Sequence, residues 1–459
     1  MGRMIRSVWR GFMALCVMAP MASWAQDAPL PAVALGERLF GDVRFSNPGS
    51  QFSTSCASCH TPVTGPKGPR SFTDSEPRSL IPSSEKGAKL TTLRNAPTLI
   101  GAGKLTRFDW DGQYDSLEAL VRDKMTGVQF GWLPGESARA LDEIHTVLQN
   151  DNGELAATKI PYAAEFKTAL DVDVASVSRD ELLAASAKAI AEYVATLAPT
   201  RSARYDAFAF LNRINPAVAV ADGDTPVDFA GRLFGRLMNQ EGRQSVKAPL
   251  DFDMLAYKGL KIFFGIDGME HQGNCVACHY PPDFTDNLFH NTGVSGEEYD
   301  SLHGPGSFGK YLANPKTPSD ATRARPDKAD PSKADLGHWN FAGPASPLRK
   351  EGEAEEFFQA RMRAAFKTPA LLNPALTDPY MHNGAYATTE DALRQKMRAG
   401  QAAREAKDTT LDPEMALVNI SEDDIPALAA FLNMLNEVGP DDYRHLIADG
   451  THTLDGPFE

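Results

Sequence analysis

The sequence predicts a mainly α-helical protein made of two similar halves in tandem, with long loops and insertions. Three observations lead to this prediction: a cysteine–histidine motif that occurs twice, a glycine-containing helical segment before each motif, and a helical segment that closes each half. The chain has 459 residues, which is enough for two or three domains of ordinary size. Its hydrophobic fraction of 42% and charged fraction of 23% are typical of a globular protein.

The first residues are typical of an export signal. They contain Arg3, Arg6 and Arg10, then an apolar stretch at 11–22, and then a small–x–small sequence that ends at Ala25. The apolar stretch is shorter than the roughly 20 residues that a membrane-spanning helix needs. Residues 1–25 are therefore predicted to be a cleaved signal peptide, and we expect no stable membrane insertion.

Four cysteines remain after that cleavage, in two pairs with the same spacing. The pairs, each followed at once by a histidine, are Cys56 and Cys59 with His60, and Cys275 and Cys278 with His279. In C-x-x-C-H, two thiols bond the vinyl groups at one porphyrin edge and the histidine reaches the iron. Two disulfides or a zinc site are the alternatives, but neither explains both trailing histidines. The motifs predict two covalently bound haem c groups, with the two histidines as iron ligands.

Repeats around the motifs indicate that each half is a cytochrome c-like haem domain. “LGERLF” at 35–40 precedes the first motif and “KGLKIFF” at 258–264 precedes the second, each with apolar residues at helical spacing. Capping signals at Ser178 and Ser421 open the closing helix of each half. An opening helix, a haem motif, loops and a closing helix form the layout of a small cytochrome c fold.

A second repeat lies between these landmarks. Residues 110–127 align without a gap with residues 382–399, so that Met125 matches Met397. A duplicated haem domain explains this better than chance similarity between helices. The predicted parts are a first haem domain at 26–214, a linker or insertion at 215–250, a second haem domain at 251–440 with an insertion of surface loops at 299–356, and a tail at 441–459.

The function of each haem depends on what lies opposite its histidine. A methionine there makes an electron carrier, whereas an open iron can bind a small oxidant. Met397 is the candidate ligand of the second haem, with Met362 and Met381 as rivals. No histidine occurs in the loops that usually cover the first haem, and the loop beyond them presents Gln129. We expect an open first iron, with closure by Met125 as the alternative.

At these residues the sequence resembles the bacterial dihaem cytochrome c peroxidases and the related MauG-type maturation enzymes. The resemblance covers nearly the whole exported chain and includes “LRNAPTL”, “WDG”, “FKTPALLNP” and “YMHNG” around the haem motifs. It implies a periplasmic enzyme whose first haem is peroxidatic and whose second haem receives electrons from a small protein, a cytochrome c or a cupredoxin. It also implies that Trp110 lies between the haems, that His382 belongs to a pocket and that Met397 is an iron ligand.

The sequence departs from that family near the first haem. The removable distal histidine is absent, and Leu120 stands in place of a glutamine. The family's glutamate that helps to break the O–O bond falls near Phe130, with Gln129 as the closest polar residue. A glutamine can orient peroxide by hydrogen bonding but is a poor proton shuttle. Gly101 replaces an asparagine that helps to bind calcium, so a calcium ion is left open.

The sequence therefore predicts a peroxidase that reduces hydrogen peroxide with electrons from a small redox protein. Two alternatives remain: a MauG-like enzyme that oxidises residues of a partner protein, and a dihaem electron-transfer cytochrome. The net charge of −14 disfavours binding to nucleic acid and favours a basic protein partner. The second chain of a homodimer is a further candidate partner.

Overall fold

The computed structural model describes residues 31–65, 68–85, 87–215, 225–238, 246–266, 271–314, 317–343, 346–405, 407, 410–448 and 451–454. The α-helices are α1 Pro31–Gly41, α2 Cys56–Cys59, α3 Leu117–Met125, α4 Ser137–Asn150, α5 Tyr162–Leu170, α6 Arg179–Ala195, α7 Arg204–Leu211, α8 Pro226–Met238, α9 Met254–Phe264, α10 Val294–His303, α11 Ser307–Ala313, α12 Glu355–Met362, α13 Thr389–Arg404, α14 Ile425–Asn433 and α15 Pro440–Ala448. The predicted signal peptide, residues 1–25, lies outside the described residues. Within the described ranges, no helix is both long enough and apolar enough to cross a membrane.

Short antiparallel strand pairs accompany the helices. The strands are β1 Pro62–Gly65, β2 Gly68–Phe72, β3 Leu80–Ile81, β4 Leu90–Thr91, β5 Val246–Pro249, β6 Phe289–His290, β7 Phe366–Lys367 and β8 Thr451–Leu454. They pair as β1 with β2, β3 with β4, β5 with β8 and β6 with β7. The architecture is mainly α, as predicted.

Each half contains the same crossing of two helices, at a glycine. A Cβ atom added to Gly36 in α1 would lie 2.0 Å from the carbonyl oxygen of Ala189 in α6. A Cβ atom added to Gly259 in α9 would lie 1.9 Å from the carbonyl oxygen of Ala427 in α14. Backbones can approach this closely only where the side chain is absent. The repeated crossing confirms the prediction of two cytochrome c-like units in tandem.

The predicted linker at 215–250 contains packed structure in its described part. Helix α8 buries Phe229 and Phe234 in the core of the second half, and the Phe234 ring lies 4.7 Å from that of Phe264. Strand β5 pairs with β8, which belongs to the predicted tail at 441–459. The described part of the segment therefore packs on the second half, and strand β8 of the tail completes its sheet.

The insertion at 299–356 is not a set of surface loops, and that prediction was wrong. Its first residue lies inside α10, and α11 and the start of α12 also belong to it. Tyr299 packs against Phe308 and Tyr311 with ring centroids 5.6 and 5.1 Å apart. These apolar side chains form a separate small core, although the average hydrophobicity of the segment is low.

Candidate functional site: two haem motifs and the junction between them

The first haem motif lies on the short helix α2. Ser58 Oγ accepts a hydrogen bond of 3.0 Å from the backbone N–H of Ser55, which fixes the start of the helix. Cys56 and Cys59 form no disulfide. The ring N–H at Nδ1 of His60 donates to the carbonyl oxygen of Phe72, 3.3 Å away. The opposite nitrogen, Nε2, is therefore the one with a lone pair for an iron ion.

The second motif repeats this arrangement. Residues Cys275–Ala277 form a 3₁₀ turn, and Cys275 and Cys278 form no disulfide. Nδ1 of His279 donates to the carbonyl oxygen of Phe284 at 2.8 Å. The same tautomer is thus fixed at both histidines.

The two acceptor carbonyls belong to a repeat that the sequence reasoning missed. Both phenylalanines begin the sequence Phe-Thr-Asp, at 72–74 and 284–286. The Thr73 hydroxyl donates to the carbonyl oxygen of Ala96 at 2.6 Å, and the Thr285 hydroxyl donates to that of Thr368 at 2.7 Å. The repeated tripeptide was visible in the sequence, but the differing loop lengths before it hid the match.

The protonation of these groups fits a c-type haem. Burial lowers the pKa of His60 and of His279, so both rings are neutral near pH 7, as an iron ligand must be. Burial raises the pKa of Cys56 and of Cys275 to about 12, which keeps both thiols protonated. Unpaired cysteines beside an oriented, neutral histidine are what thioether attachment and axial ligation require.

The repeat-equivalent methionines differ in their surroundings. Met125 ends α3 and is only 1% exposed within the core of the first half. Met397 lies in α13, is half-buried and packs against the edge of the second core. Of the two rivals, Met362 is enclosed in the core of the insertion, and Met381 lies in a turn with a φ angle of 73°.

The loop after α3 is tied to the segment before the first motif. Gln129 is half-buried, and its carbonyl oxygen accepts a hydrogen bond of 3.1 Å from the Thr54 hydroxyl. The carbonyl oxygen of Phe130 accepts one of 2.8 Å from the N–H of Asn47. Phe130 is buried, so its apolar side chain is enclosed.

Asn95 brings Trp110 and His382 together. The indole N–H of Trp110 donates to the carbonyl oxygen of Asn95 at 2.9 Å, and the N–H of Asn95 donates to the carbonyl oxygen of His382 at 2.8 Å. The His382 ring stacks on that of Phe366, with centroids 3.6 Å apart, and its Nε2 lies 3.3 Å from the Ser295 hydroxyl. Burial lowers the pKa of His382 to about 3, so the ring is neutral.

The junction has approximate twofold symmetry. Trp110 and His382 occupy equivalent positions in two hairpins, bridged at Phe108 with Tyr114 and at Tyr380 with Tyr386. Just as the N–H of Asn95 donates to the carbonyl oxygen of His382, the N–H of Lys367 donates to that of Trp110 at 2.9 Å. Each half thus provides a backbone donor to the hairpin of the other half.

A cluster of Cys278, His290 and Glu414 has the composition of a metal site, with ligand atoms within 4.8 Å of one another. His290 lies between Asp286 and Asp412, at 2.8 Å from each. Burial alone would lower the pKa of His290, but the hydrogen bonds to these two carboxylates outweigh burial, and the pKa is strongly raised. A protonated imidazole cannot bind a cation, and the cysteine belongs to the haem motif, so the cluster is an ion-paired group.

Similarity to known dihaem proteins accounts for the two haem motifs. Residues 31–213 match the family described as di-haem cytochrome c peroxidase. Cytochrome-c peroxidase IdrP2 of Denitromonas iodatirespirans is 27% identical over 88% of this chain and 81% of its own. The methylamine utilization protein MauG of Methylorubrum extorquens is 25% identical over 88% of this chain and 77% of its own.

Two solved structures share the fold. A MauG-like protein associated with microbial copper homeostasis is 18% identical, with a TM-score of 0.53, over 96% of this chain and 98% of its own. The diheme peroxidase BthA from Burkholderia thailandensis is 19% identical, with a TM-score of 0.53, over 94% of this chain and 91% of its own. The predicted resemblance is confirmed: the chain is similar to the di-haem cytochrome c peroxidases and to MauG, at about 25% identity. It is a peroxidase-like oxidoreductase, and its relatives imply two haem cofactors.

Proposed function

We propose that this protein is a periplasmic peroxidase that reduces hydrogen peroxide with electrons from a small redox protein, a cytochrome c or a cupredoxin. The observation that carries the proposal is the junction at Asn95, which connects Trp110 of one haem domain to His382 of the other. Two electrons and two protons convert one peroxide molecule to two waters. The haems, attached covalently at the four motif cysteines, supply the redox chemistry when bound.

The residues of the chain take separate parts in this proposal. His60 and His279 would hold the two irons, and Met397 would be a further ligand in the second half. Its partial exposure at the edge of the core supports this assignment, because a ligand must reach out of the packed core. Met125 is enclosed in its own core, which supports an open iron in the first half.

The distal side of the first haem relies on Gln129. Its amide can donate a hydrogen bond that orients peroxide, but it cannot deliver a proton as a carboxylic acid can. Phe130 offers no polar group at all. Protons must therefore come from solvent, and we expect slower peroxide cleavage than in relatives with a glutamate. Calcium is not part of the proposal, because Gly101 has no side-chain oxygen and Leu372 packs beside it, 3.4 Å from the position of an added Cβ.

A MauG-like role, the oxidation of residues in a partner protein, is the second candidate. The specific observation in its favour is that Phe130, near the family's glutamate position, is apolar and buried, so that this side chain would supply no proton for rapid turnover. The similarity to MauG over 88% of the chain also supports it. A stored oxidising state would then persist until a protein substrate binds.

One experiment distinguishes these functions. The haem-loaded protein is mixed with peroxide, with and without a reduced small cytochrome, while absorption is recorded. The peroxidase proposal expects oxidation of the cytochrome at a rate that depends on peroxide, and a Trp110→Phe variant that reacts with peroxide but oxidises cytochrome more slowly. A long-lived oxidised species that ignores the cytochrome would support the MauG-like role. Two unresponsive low-spin haems would contradict both.

A further inference from the structure

The insertion at 299–356 contacts the hairpin that carries Trp110. Arg323 Nε donates to Oδ2 of Asp111 at 2.8 Å, and its Nη2 donates to Oε1 of Gln113 at 2.5 Å. Asp111 and Gln113 flank Gly112 at the tip of the hairpin. One guanidinium therefore bonds side chains on both sides of the turn, which limits how the turn can rotate.

A second contact fixes the backbone of the same turn. The ring N–H at Nδ1 of His338 donates to the carbonyl oxygen of Asp111 at 2.7 Å, and the ring stacks on Phe289 with centroids 4.0 Å apart. A Cβ atom on Gly112 would lie 2.4 Å from the Phe289 ring and 3.2 Å from His338 Nδ1. The tip of the hairpin is thus enclosed on the face that the insertion covers.

A third contact links the insertion to the same turn through Arg94. Asp335 accepts two hydrogen bonds from Arg94, at 2.7 and 2.8 Å, and Arg94 Nη1 lies 2.6 Å from Oδ2 of Asp111. The Asp111 side chain is fully buried between the guanidiniums of Arg94 and Arg323. A buried carboxylate with two such partners has little freedom to move, because leaving them exposes an unpaired charge.

The equivalent hairpin of His382 is held by other residues. Its Asn383 amide donates to Glu298 at 2.9 Å, and Ser295 faces the His382 ring. Both partners lie in α10, before the insertion begins at 299. The hydrogen bonds of Arg323 and His338 therefore reach the hairpin that carries the tryptophan, and Asp335 reaches it through Arg94.

We propose that the insertion is a clamp that holds the Trp110 hairpin in place, with Arg323, Asp335 and His338 as positioning residues, and thereby maintains the rate of electron passage between the two haem domains. The electron-passage part rests on the proposed function. The clamping part does not, because it concerns the mobility of the hairpin itself.

Hydrogen exchange of the peptide 108–114 in the haem-loaded protein tests the clamp directly. The N–H groups of Phe108 and Gly112 bond within the hairpin, to the carbonyl oxygens of Tyr114 and Asp109. Arg323→Gln and His338→Leu should raise their exchange rates by about tenfold or more, since each removes a bond that resists opening. His338→Gln, whose amide can still donate, should restore slow exchange. Lys333→Gln is the matched control, because Lys333 pairs with Asp327 and Asp330 inside the insertion itself.

Rapid reduction of the second haem, followed by absorption at the first, tests the consequence. We expect Arg323→Gln and His338→Leu to slow this transfer by about tenfold, with the spectra of both haems unchanged. Exchange of the peptide 108–114 at the wild-type rate in both variants would overturn the clamp. Fast hairpin exchange with unaltered transfer would overturn the link to electron passage. Absence of transfer in the wild type, together with fast exchange in the variants, would overturn the proposed function and leave the clamp supported.

Discussion

Arg94 and Asp335 form an ion pair across the two halves of the molecule, 241 positions apart, and both side chains are only 5% exposed. The pair is bidentate, with a second guanidinium contact to Asp111. A buried charge that loses its partner cannot regain water, so removal of one member costs more than the pair itself contributes.

The change Asp335→Asn should lower the free energy of unfolding by about 3 kcal/mol, because Arg94 would remain buried with one carboxylate fewer. Denaturant unfolding of the haem-loaded protein measures this. Asp330→Asn is the control in the same insertion, since that side chain is 43% exposed, and we expect no measurable change in the free energy of unfolding. Equal effects of the two changes would contradict the assigned role of the pair.

The glycine crossings give a second prediction. Gly36→Ala and Gly259→Ala place a methyl group within 2.0 and 1.9 Å of a backbone oxygen, so the helices must separate, at a cost of roughly 1–3 kcal/mol or more. Haem content and the unfolding midpoint of each variant provide the measurement. Gly231→Ala in the exposed part of α8 has no atom within 4 Å and should be neutral or stabilising by about 0.5–1 kcal/mol. A loss of stability there as large as at Gly36 would show that packing is not the cause.

The two equivalent methionines provide a matched pair. Met397→Leu should change the absorption spectrum and reduction potential of the second haem, because leucine cannot ligate iron. Met125→Leu should leave both spectra as they are and cost less than about 1.5 kcal/mol, because a similar volume is kept in an apolar core. A changed first-haem spectrum in Met125→Leu would instead identify Met125 as a ligand.

The buried His382 makes stability depend on pH. Its pKa is about 3 in the folded chain, against roughly 6.5 for an unperturbed histidine. Between these values the unfolded chain binds more protons, so stability rises with pH over this window and falls as the solution is acidified. The expected contribution is a little over ~1 kcal/mol per pH unit.

Unfolding midpoints at pH 7 and pH 4.5 measure this dependence. His382→Gln should lose less stability on acidification than the wild type, because the variant has no ring to protonate. His145→Gln, in α4 and away from the junction, is the control. If His382→Gln kept the wild-type pH dependence, the attribution of this dependence to His382 would be refuted.

The sequence was sufficient for the features that depend on local spacing. The haem motifs, the glycine before each motif and the repeated hairpin sequence together predicted a duplicated helical fold, because spacing alone determines those features. The capping box at Ser178 and Glu181 is present as predicted. The positions of the iron ligands and of the distal residues remain predictions.

The features that failed or were missed depend on contacts between distant segments. The insertion at 299–356 has low average hydrophobicity, but its few aromatic residues, such as Tyr299 and Phe308, are brought together by folding. The bond from Asn95 to His382 uses backbone groups, which leave no trace in residue identity. The roles of Arg323 and His338 likewise depend on which loop they face, and no periodic pattern encodes that.

The exchange of backbone bonds between the hairpins has a consequence for the origin of the chain. The backbone N–H of Asn95 donates to the carbonyl oxygen of His382, and the equivalent N–H of Lys367 donates to the equivalent carbonyl oxygen of Trp110. A single-haem unit with one such donor and one such acceptor is self-complementary, so two copies would associate through an isologous contact. The junction inside this chain has the form of that dimer interface. Fusion of two such units would leave the two acceptor positions free to differ, as the indole of Trp110 and the imidazole of His382 do here.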